Sequence, residues 1–380
     1  MMLAFTLPTL VGIEKLLTFL LMLSILVVLH ELGHFVLARR NGVRVNEFAV
    51  GFGPKLWKTT SKRTGTVYAI NAFPIGGYCA MQGEDGKTSE AEQQRQARMA
   101  GVQRYEADNF QSKSVWQRLS IIIAGPFANF VLAFVILFLG SVLFGEPTGK
   151  FEPVIGPLRD GMPAQKAGLA QGDRVLQVNS ARITNGDQLI RIIHASSGKR
   201  LTITYARGDR VFTTRVTPVA GQDIDGKTVG QIGFNAISGY QRIGLVAAAS
   251  DSVRNFGSLM HGTAQGILAL AMHPRDHMDS LSGPVGIART ATRVEDFGWA
   301  PYFELAAAIS LSLGFFNLLP IPALDGGRAA FIVAELVRGK PVDPGKEGLV
   351  HVAGFALLLM LILAVTYHDI ANMIAGKGVL

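Results

Sequence analysis

The sequence is poor in charge. Asp, Glu, Lys and Arg make up 17% of the 380 residues, where a soluble protein carries about a quarter. That shortfall argues against a single water-exposed globule. Cysteine is nearly absent: Cys79 stands alone, which excludes an internal disulfide and any multi-cysteine zinc cluster. A metal site in this chain must use His, Asp or Glu. The charge balance is basic, net +8, yet no nucleic-acid motif accompanies it and the basic residues do not gather on one predicted helix. Nucleic acid is therefore not an expected partner. Cytoplasmic loops and anionic lipid headgroups account for the excess more simply.

Apolar residues are what the chain has in plenty, 49%, and they lie in blocks. Four membrane spans are predicted, over about 16–38, 119–144, 305–324 and 349–367. The first, Leu16 to Ala38, covers roughly 35 Å as a helix, enough to cross the hydrocarbon core. A cleaved signal peptide is the competing reading. Only Lys15 precedes the run, however, and the segment ends in His-Glu-Leu-Gly-His-Phe-Val, which is no cleavage site. The third span is interrupted by Pro320 and Pro322. Lys and Arg crowd the loop between spans one and two and recur at Arg328, Arg338, Lys340 and Lys346 between spans three and four. Both loops are expected in the cytoplasm, with both termini and the segment from about 145 to 303 outside.

Within that outer segment a compact α+β domain is expected over 151–222. Pro163 to Leu169 reads as a helix ending at glycine, Asp173 to Asn179 as a strand, and Asp187 to Ile193 as a helical face. Leu201–Tyr205 and Val211–Val216 read as strands flanking an Arg207-Gly-Asp-Arg turn. The phrase Ala-Gly-Leu-x-x-Gly-Asp-x-Val-x-x-Val-Asn and this order resemble a bacterial PDZ domain, a module that binds extended peptides by strand addition. Residues 223–303 are expected to form a helical linker, periplasmic or at the membrane surface, and 84–113 a polar loop. The remaining divisions are a first membrane half, 1–150, and a second, 304–380.

His30-Glu31-Leu32-Gly33-His34 lies inside the first span. Residues four apart stand about 40° apart on one helical face, so two imidazoles there can hold one Zn²⁺, and HExxH is a known metalloprotease pattern. Glu31 is free to act as general base on an activated water and to carry its proton to the leaving amine. Ionisable groups in a bilayer helix are expensive and mark function. Interfacial anchoring, the alternative, would favour Lys, Arg, Trp or Tyr. A third ligand is needed, and Asp325 is the candidate: by the loop charges its span ends at the same depth as the HExxH segment. The alternative for Asp325 is a helix cap with Gly326-Gly327 as a turn. Pro320 and Pro322 break the helix, which at membrane depth is tolerated in protein or along a wet cavity. Asn317 on that stretch either holds substrate backbone or makes an interhelical hydrogen bond.

Taken together, these segments resemble the site-2 protease family of intramembrane metalloproteases, and within it the bacterial regulator-of-sigma-E protease group. The matching pieces span nearly the whole chain: His30–His34, Gly51-Phe-Gly-Pro, Phe73-Pro-Ile-Gly-Gly-Tyr78, Ala124-Gly-Pro-Phe-Ala-Asn129, the PDZ-like segment, Ser282-Gly-Pro-Val-Gly286 and Asn317–Gly327. The resemblance implies that His30, His34 and Asp325 bind zinc, that Glu31 is catalytic, and that Asn317, with Pro320 beside it, helps hold substrate. It also suggests that a hairpin of Val67–Ile70 and Tyr78–Met81, turning at Pro74-Ile-Gly-Gly, offers an edge near Gly76, Gly77 and Tyr78 to an extended substrate. An ordinary cytoplasmic hairpin is the other reading. Ala124–Asn129 reads as a helix-packing motif. His194, His261, His273, His277, His351 and His368 read as incidental. Where enterobacterial members carry two tandem PDZ domains, this chain has room for one.

The expected fold is thus a membrane α-helical bundle of about four transmembrane helices, with a membrane-associated β-hairpin region and an inserted α+β PDZ-like domain. By resemblance, it would be a zinc endopeptidase of the bacterial inner membrane, its site toward the cytoplasm. It would act in regulated intramembrane proteolysis, as in the sigma-E stress response. Its substrates would be single-pass proteins already trimmed outside, such as anti-sigma factors, and remnant signal peptides. The PDZ-like domain would take peptide termini. Two rival functions are a non-catalytic membrane adaptor with a structural zinc site and a metal transporter. Intact Glu31 and only three candidate ligands argue against the first. The near absence of ligands in the other spans argues against the second.

Overall fold

The computed structural model describes residues 10–84, 107–222, 227–273, 283–340 and 342–374. Helix α1 (Leu10–Arg40) leads into two long strands, β1 (Val45–Thr60) and β2 (Val67–Met81), and then helix α2 (Val115–Phe144). Next come β3 (Glu146–Leu158), α3 (Pro163–Lys166), β4 (Arg174–Val178), β5 (Ala181–Arg182), α4 (Gly186–His194), β6 (Leu201–Arg207), β7 (Arg210–Val216), β8 (Val219–Gln222), β9 (Thr228–Gln231) and β10 (Phe234–Gln241). Helices α5 (Leu245–Met272), α6 (Pro284–Glu295), α7 (Trp299–Leu318), α8 (Asp325–Arg338) and α9 (Pro344–Ile374) follow.

Among the described residues, four helices are long and apolar enough to cross a membrane: Ile13–Arg40, Val115–Phe144, Trp299–Leu318 and Gly345–Ala371. They correspond to the four expected spans, with one shift. The third was expected over 305–324, but α7 ends at Leu318. Pro320 disfavours the helical region for Leu319 and has no N–H to give, so an irregular link joins α7 to α8. Of the expected polar loop, 85–106 lies outside the described residues, as do Ser282 and His277. Residues 110–112 form a single 3-10 turn capped by Asn109.

The chain falls into two compact units, one of Met1–Leu137, Val253–Thr292 and Glu304–Leu380, the other of Phe138–Ser252 and Arg293–Phe303. The second contains a six-stranded sheet of order β10-β3-β4-β6-β7, with β5 paired to β4. Alternation along β6 sends Leu201, Ile203 and Tyr205 inward, where they meet Ile155, Val175, Val178, Leu189 and Ile193. The Gly-Asp of the motif has a plain cause. Asp173, 1% exposed, accepts from the Ala170 N–H at 2.8 Å and takes two Arg207 donors at 2.7 Å, a charge-assisted pair that closes the turn. The expected boundary at 222 is corrected here: β9 and β10 lie beyond it, β10 pairs with β3, and Ile232 is in the core. The linker 223–303 is therefore not wholly helical. Strand pairing with a distant segment is a tertiary effect that short, Gly-interrupted runs do not announce.

In the first unit, β1 and β2 are each bent, so their hairpin is four ribbons wide. Residues 45–50 pair on one side with 77–81 and on the other with 67–70, while 55–60 lie outside 67–71. The bends need glycine: Gly51 has φ +78°, and a Cβ there would stand 2.3 Å from the Phe73 carbonyl oxygen. Phe52, Leu56, Trp57, Ile70 and Phe73 are left exposed around the bend. The Ser24 hydroxyl on α1 donates to the Pro74 carbonyl, and Gly77 packs against Val28, fastening the hairpin to α1 just before His30. A second cluster joins Ala38, Val45, Met81, Ile121, Ile122 and Ile332, tying α1, the hairpin, α2 and α8 together. Arg118 and Glu335 add a 2.6 Å ion pair between α2 and α8. Ala133, Leu137, Ala307 and Leu311 pack α7 against α2.

Candidate active site

The sequence places His30 and His34 one turn apart on α1, and both are buried, at 7% and 6% exposure. Their Nε2 atoms face each other at 3.2 Å. Gly33 lies between them because α1 and α2 meet there backbone to backbone: a Cβ at Gly33 would stand 2.3 Å from the Ala124 carbonyl oxygen. On the facing turn of α2, a Cβ at Gly125 would stand 2.2 Å from His34 Nε2 and 2.7 Å from His30 Nε2. The glycine leaves open the space before the two ring nitrogens.

Asp325 completes the group. It occupies the first turn of α8, while the cap position belongs to Leu324, which makes no side-chain cap bond. The helix-cap alternative for Asp325 therefore does not hold. Its Oδ2 stands 3.1 Å from His30 Nε2 and 3.4 Å from His34 Nε2. Gly326 and Gly327 allow α8 to start hard against the preceding link, since a Cβ at either would fall within 2.4 Å of a carbonyl oxygen of Leu318, Leu319 or Ile321.

These three groups fit zinc. Ligands at about 2.0–2.1 Å from a tetrahedral ion lie roughly 3.3 Å from one another, and the three separations are 3.2, 3.1 and 3.4 Å. Asp325 Oδ2 is buried with no hydrogen bond of acceptable geometry, a costly arrangement for a carboxylate unless a cation is its partner. His, His and Asp form a donor set typical of a catalytic ion, with a fourth position left for water or substrate. Among the described residues this is the one cluster of three such side chains close enough to share an ion.

The ring orientations are fixed from behind. His34 Nδ1 donates to the Ile121 carbonyl at 2.9 Å, so in the neutral ring Nε2 carries the lone pair. Behind His30 stands Asn129, fully buried. Its amide nitrogen is 3.1 Å from Nδ1, and its carbonyl oxygen has no partner. A half-turn of the amide brings the oxygen to Nδ1–H and leaves His30 Nε2 free to ligate. The Ser310 hydroxyl of α7 donates to the Asn129 backbone carbonyl at 2.9 Å. Sequence reasoning took the segment bearing Gly125 and Asn129 for packing alone. The signal that could have separated them is an amide at the core of an apolar helix, where a polar side chain needs a reason.

Glu31 is half-buried beside the first ligand and interacts electrostatically with His30, His34, Asp325 and Glu84. Asn317 is half-buried in the last turn of α7, and Pro320 is exposed in the link before Asp325. Gly76 (φ +81°) and Gly77 are buried where β2 bends. The Tyr78 hydroxyl donates to Glu47 at 2.9 Å, with Lys55 on the same carboxylate at 2.7 Å. Tyr78 thus faces Glu47, and the structure records no contact between it and the ligand group. Burial pushes the Cys79 thiol up, which suits a core residue and not a ligand or nucleophile.

Peptidase family M50 matches residues 18–361. A zinc metalloprotease RasP from Geobacillus kaustophilus is 34% identical, over 94% of this chain and 98% of the relative. The regulator of sigma-W protease RasP from Bacillus subtilis is 30% identical, over 95% of this chain and 99% of its own. Among solved structures, the PDZ domain of the SdrC-like protein from Listeria monocytogenes is similar to 24% of the chain and 93% of that domain, at 22% identity and a TM-score of 0.20. With a family match over most of its length and a paired-histidine group closed by an aspartate, the chain belongs to peptidase family M50, the site-2 proteases, and is a membrane metalloprotease.

Proposed function

We propose that this protease cleaves transmembrane segments of single-pass proteins whose outer part has already been removed. The supporting observation is the convergence of His30, His34 and Asp325 beside Glu31, at the end of an apolar helix and behind a bent hairpin. A helical substrate hides its scissile amide in its own hydrogen bonds, and unwinding it in lipid exposes backbone groups at several kcal/mol each. The ribbon 77–81 is paired on one side, so its outer edge is suited to receive an unwound strand. Exposed Phe52, Trp57 and Phe73 give the bend a surface compatible with lipid. Asn317 would hold a backbone group near the link that carries Pro320.

His30, His34 and Asp325 would hold zinc, which when bound supplies Lewis-acid activation of water and carbonyl. Glu31 takes the proton of the attacking water and delivers it to the leaving nitrogen. Asn129 and the Ile121 carbonyl keep both imidazoles turned inward.

By likeness to the relative named for sigma-W regulation, we infer that anti-sigma factors are among the substrates, with remnant signal peptides a further class. The PDZ-like unit carries a groove between α4 and the strands β9 and β10, lined by Ile190, Ile193, His194, Ile232 and Phe234, where a trimmed peptide end would bind. In a bacterial inner membrane, this unit and both termini would lie outside and the site toward the cytoplasm, a reading supported by the basic loops. The test is comparative membrane proteomics of wild type and a Glu31→Gln strain. Single-span fragments cut on the outer side should accumulate in the variant. Identical profiles would reject this substrate class.

A further inference from the structure

His351, which reads from sequence as incidental, reaches back from α9 to the link that delivers Asp325. Its Nδ1 accepts the Ala323 N–H at 2.9 Å. Ala323 has φ +77°, a left-handed conformation that side-chain-bearing residues rarely adopt. Such a backbone persists only when its surroundings over-determine it. Three features do so here. A backbone N–H can only donate, so Nδ1 must hold the lone pair, and the neutral ring carries its proton on Nε2. The Phe331 ring of α8 lies 5.6 Å from the imidazole centroid and limits its rotation. One turn further along α9, a Cβ at Gly354 would stand 2.3 Å from Pro322, so helix and link touch directly. Ala323 is two residues before Asp325, and Leu324, between them, is tied back to the Ile321 carbonyl at 3.2 Å.

We propose that His351 is a positioning residue for the metal centre: its Nδ1 pins the strained Ala323 amide and so sets where the Asp325 carboxylate stands. The proposal rests on His30, His34 and Asp325 being the zinc ligands. It predicts a dependence on the position of an acceptor, not on polarity. His351→Asn puts an oxygen near the place of Nδ1, His351→Gln puts it about one bond too far, and His351→Leu removes it.

Full-length protein in detergent micelles is stripped of metal and titrated with zinc against a chromophoric chelator, with thermal melting of each apo form recorded alongside. Leu and Gln should weaken zinc binding about 10–100-fold, the range for groups that orient ligands, while Asn stays close to wild type. Zinc affinity unchanged in His351→Leu would overturn the proposal, as would equal weakening in all three variants. Equal weakening would mean that the ring's shape, not its acceptor, matters. A failure of the ligand assignment is told apart by His30→Ala, which would then bind zinc as tightly as wild type.

Discussion

Gly125 faces the two imidazoles, and the smallest change there is the most informative. A methyl group would stand 2.2 Å from His34 Nε2, 2.5 Å from its Cε1 and 2.7 Å from His30 Nε2. Non-bonded heavy atoms prefer about 3.5–4.0 Å, so rings or helix must part by about 1 Å. Withdrawing α2 would break the packing of Ile121 and Ile122 against Ala38 and the His34–Ile121 bond. The rings would have to swing instead, away from Ile121 and Asn129. A misplacement of about 1 Å costs on the order of 100-fold in rate. Gly125→Ala should therefore lose zinc affinity and cleavage by at least about that factor. Helix propensity offsets part of the clash, since Ala is favoured over Gly by about 1 kcal/mol, so the apo protein should lose no more than the ~1–3 kcal/mol typical of an overpacked site. Zinc content of the purified full chain, cleavage of a tethered model substrate and thermal melting together decide it. A variant that binds zinc and cleaves like wild type would refute the placement of the ion before Gly125.

Three further expectations follow from the same geometry. Glu31→Gln should slow cleavage about 10²–10⁴-fold, the usual contribution of a general base, with zinc content unchanged; loss of zinc would mean that Glu31 is a ligand. Asn129→Ala should weaken zinc about 10–100-fold in chelator competition, whereas Asn129→Asp, which keeps an acceptor for His30 Nδ1, should not. Arg118→Met leaves Glu335 without its partner across α2 and α8, and the cost of breaking such a pair from one side is about 3 kcal/mol. The readout is a lower melting temperature, and an unchanged one would show the pair to be incidental.

The ligand histidines were legible because helical periodicity is a short-range rule: four residues make one turn wherever the helix lies. Asp325 was harder: the matched depth of two span ends and the family resemblance tied it to them, and no local spacing did. The break near the end of the third span was legible in Pro320 and Pro322, and only the helix end, at Leu318 and not 324, was set by counting apolar residues past it. Asn129 was hidden because glycine, proline and alanine around it describe close helix packing equally well, and the packing at Gly33–Ala124 is real. The strand Phe234–Gln241 could not be read at all as part of the PDZ-like sheet. Its partner β3 is far back in the chain, and nothing local marks the pairing. His351 shares that fate, since its role depends on a backbone amide in another element.

Two rods that touch through their main chains have no layer of side chains on which to slip. The segment carrying both imidazoles is joined in this way to its neighbour at Gly33–Ala124, so the two should travel as one piece whenever the protein breathes. A polypeptide cannot reach the two imidazoles through the seam between these rods without first prying the main chains apart.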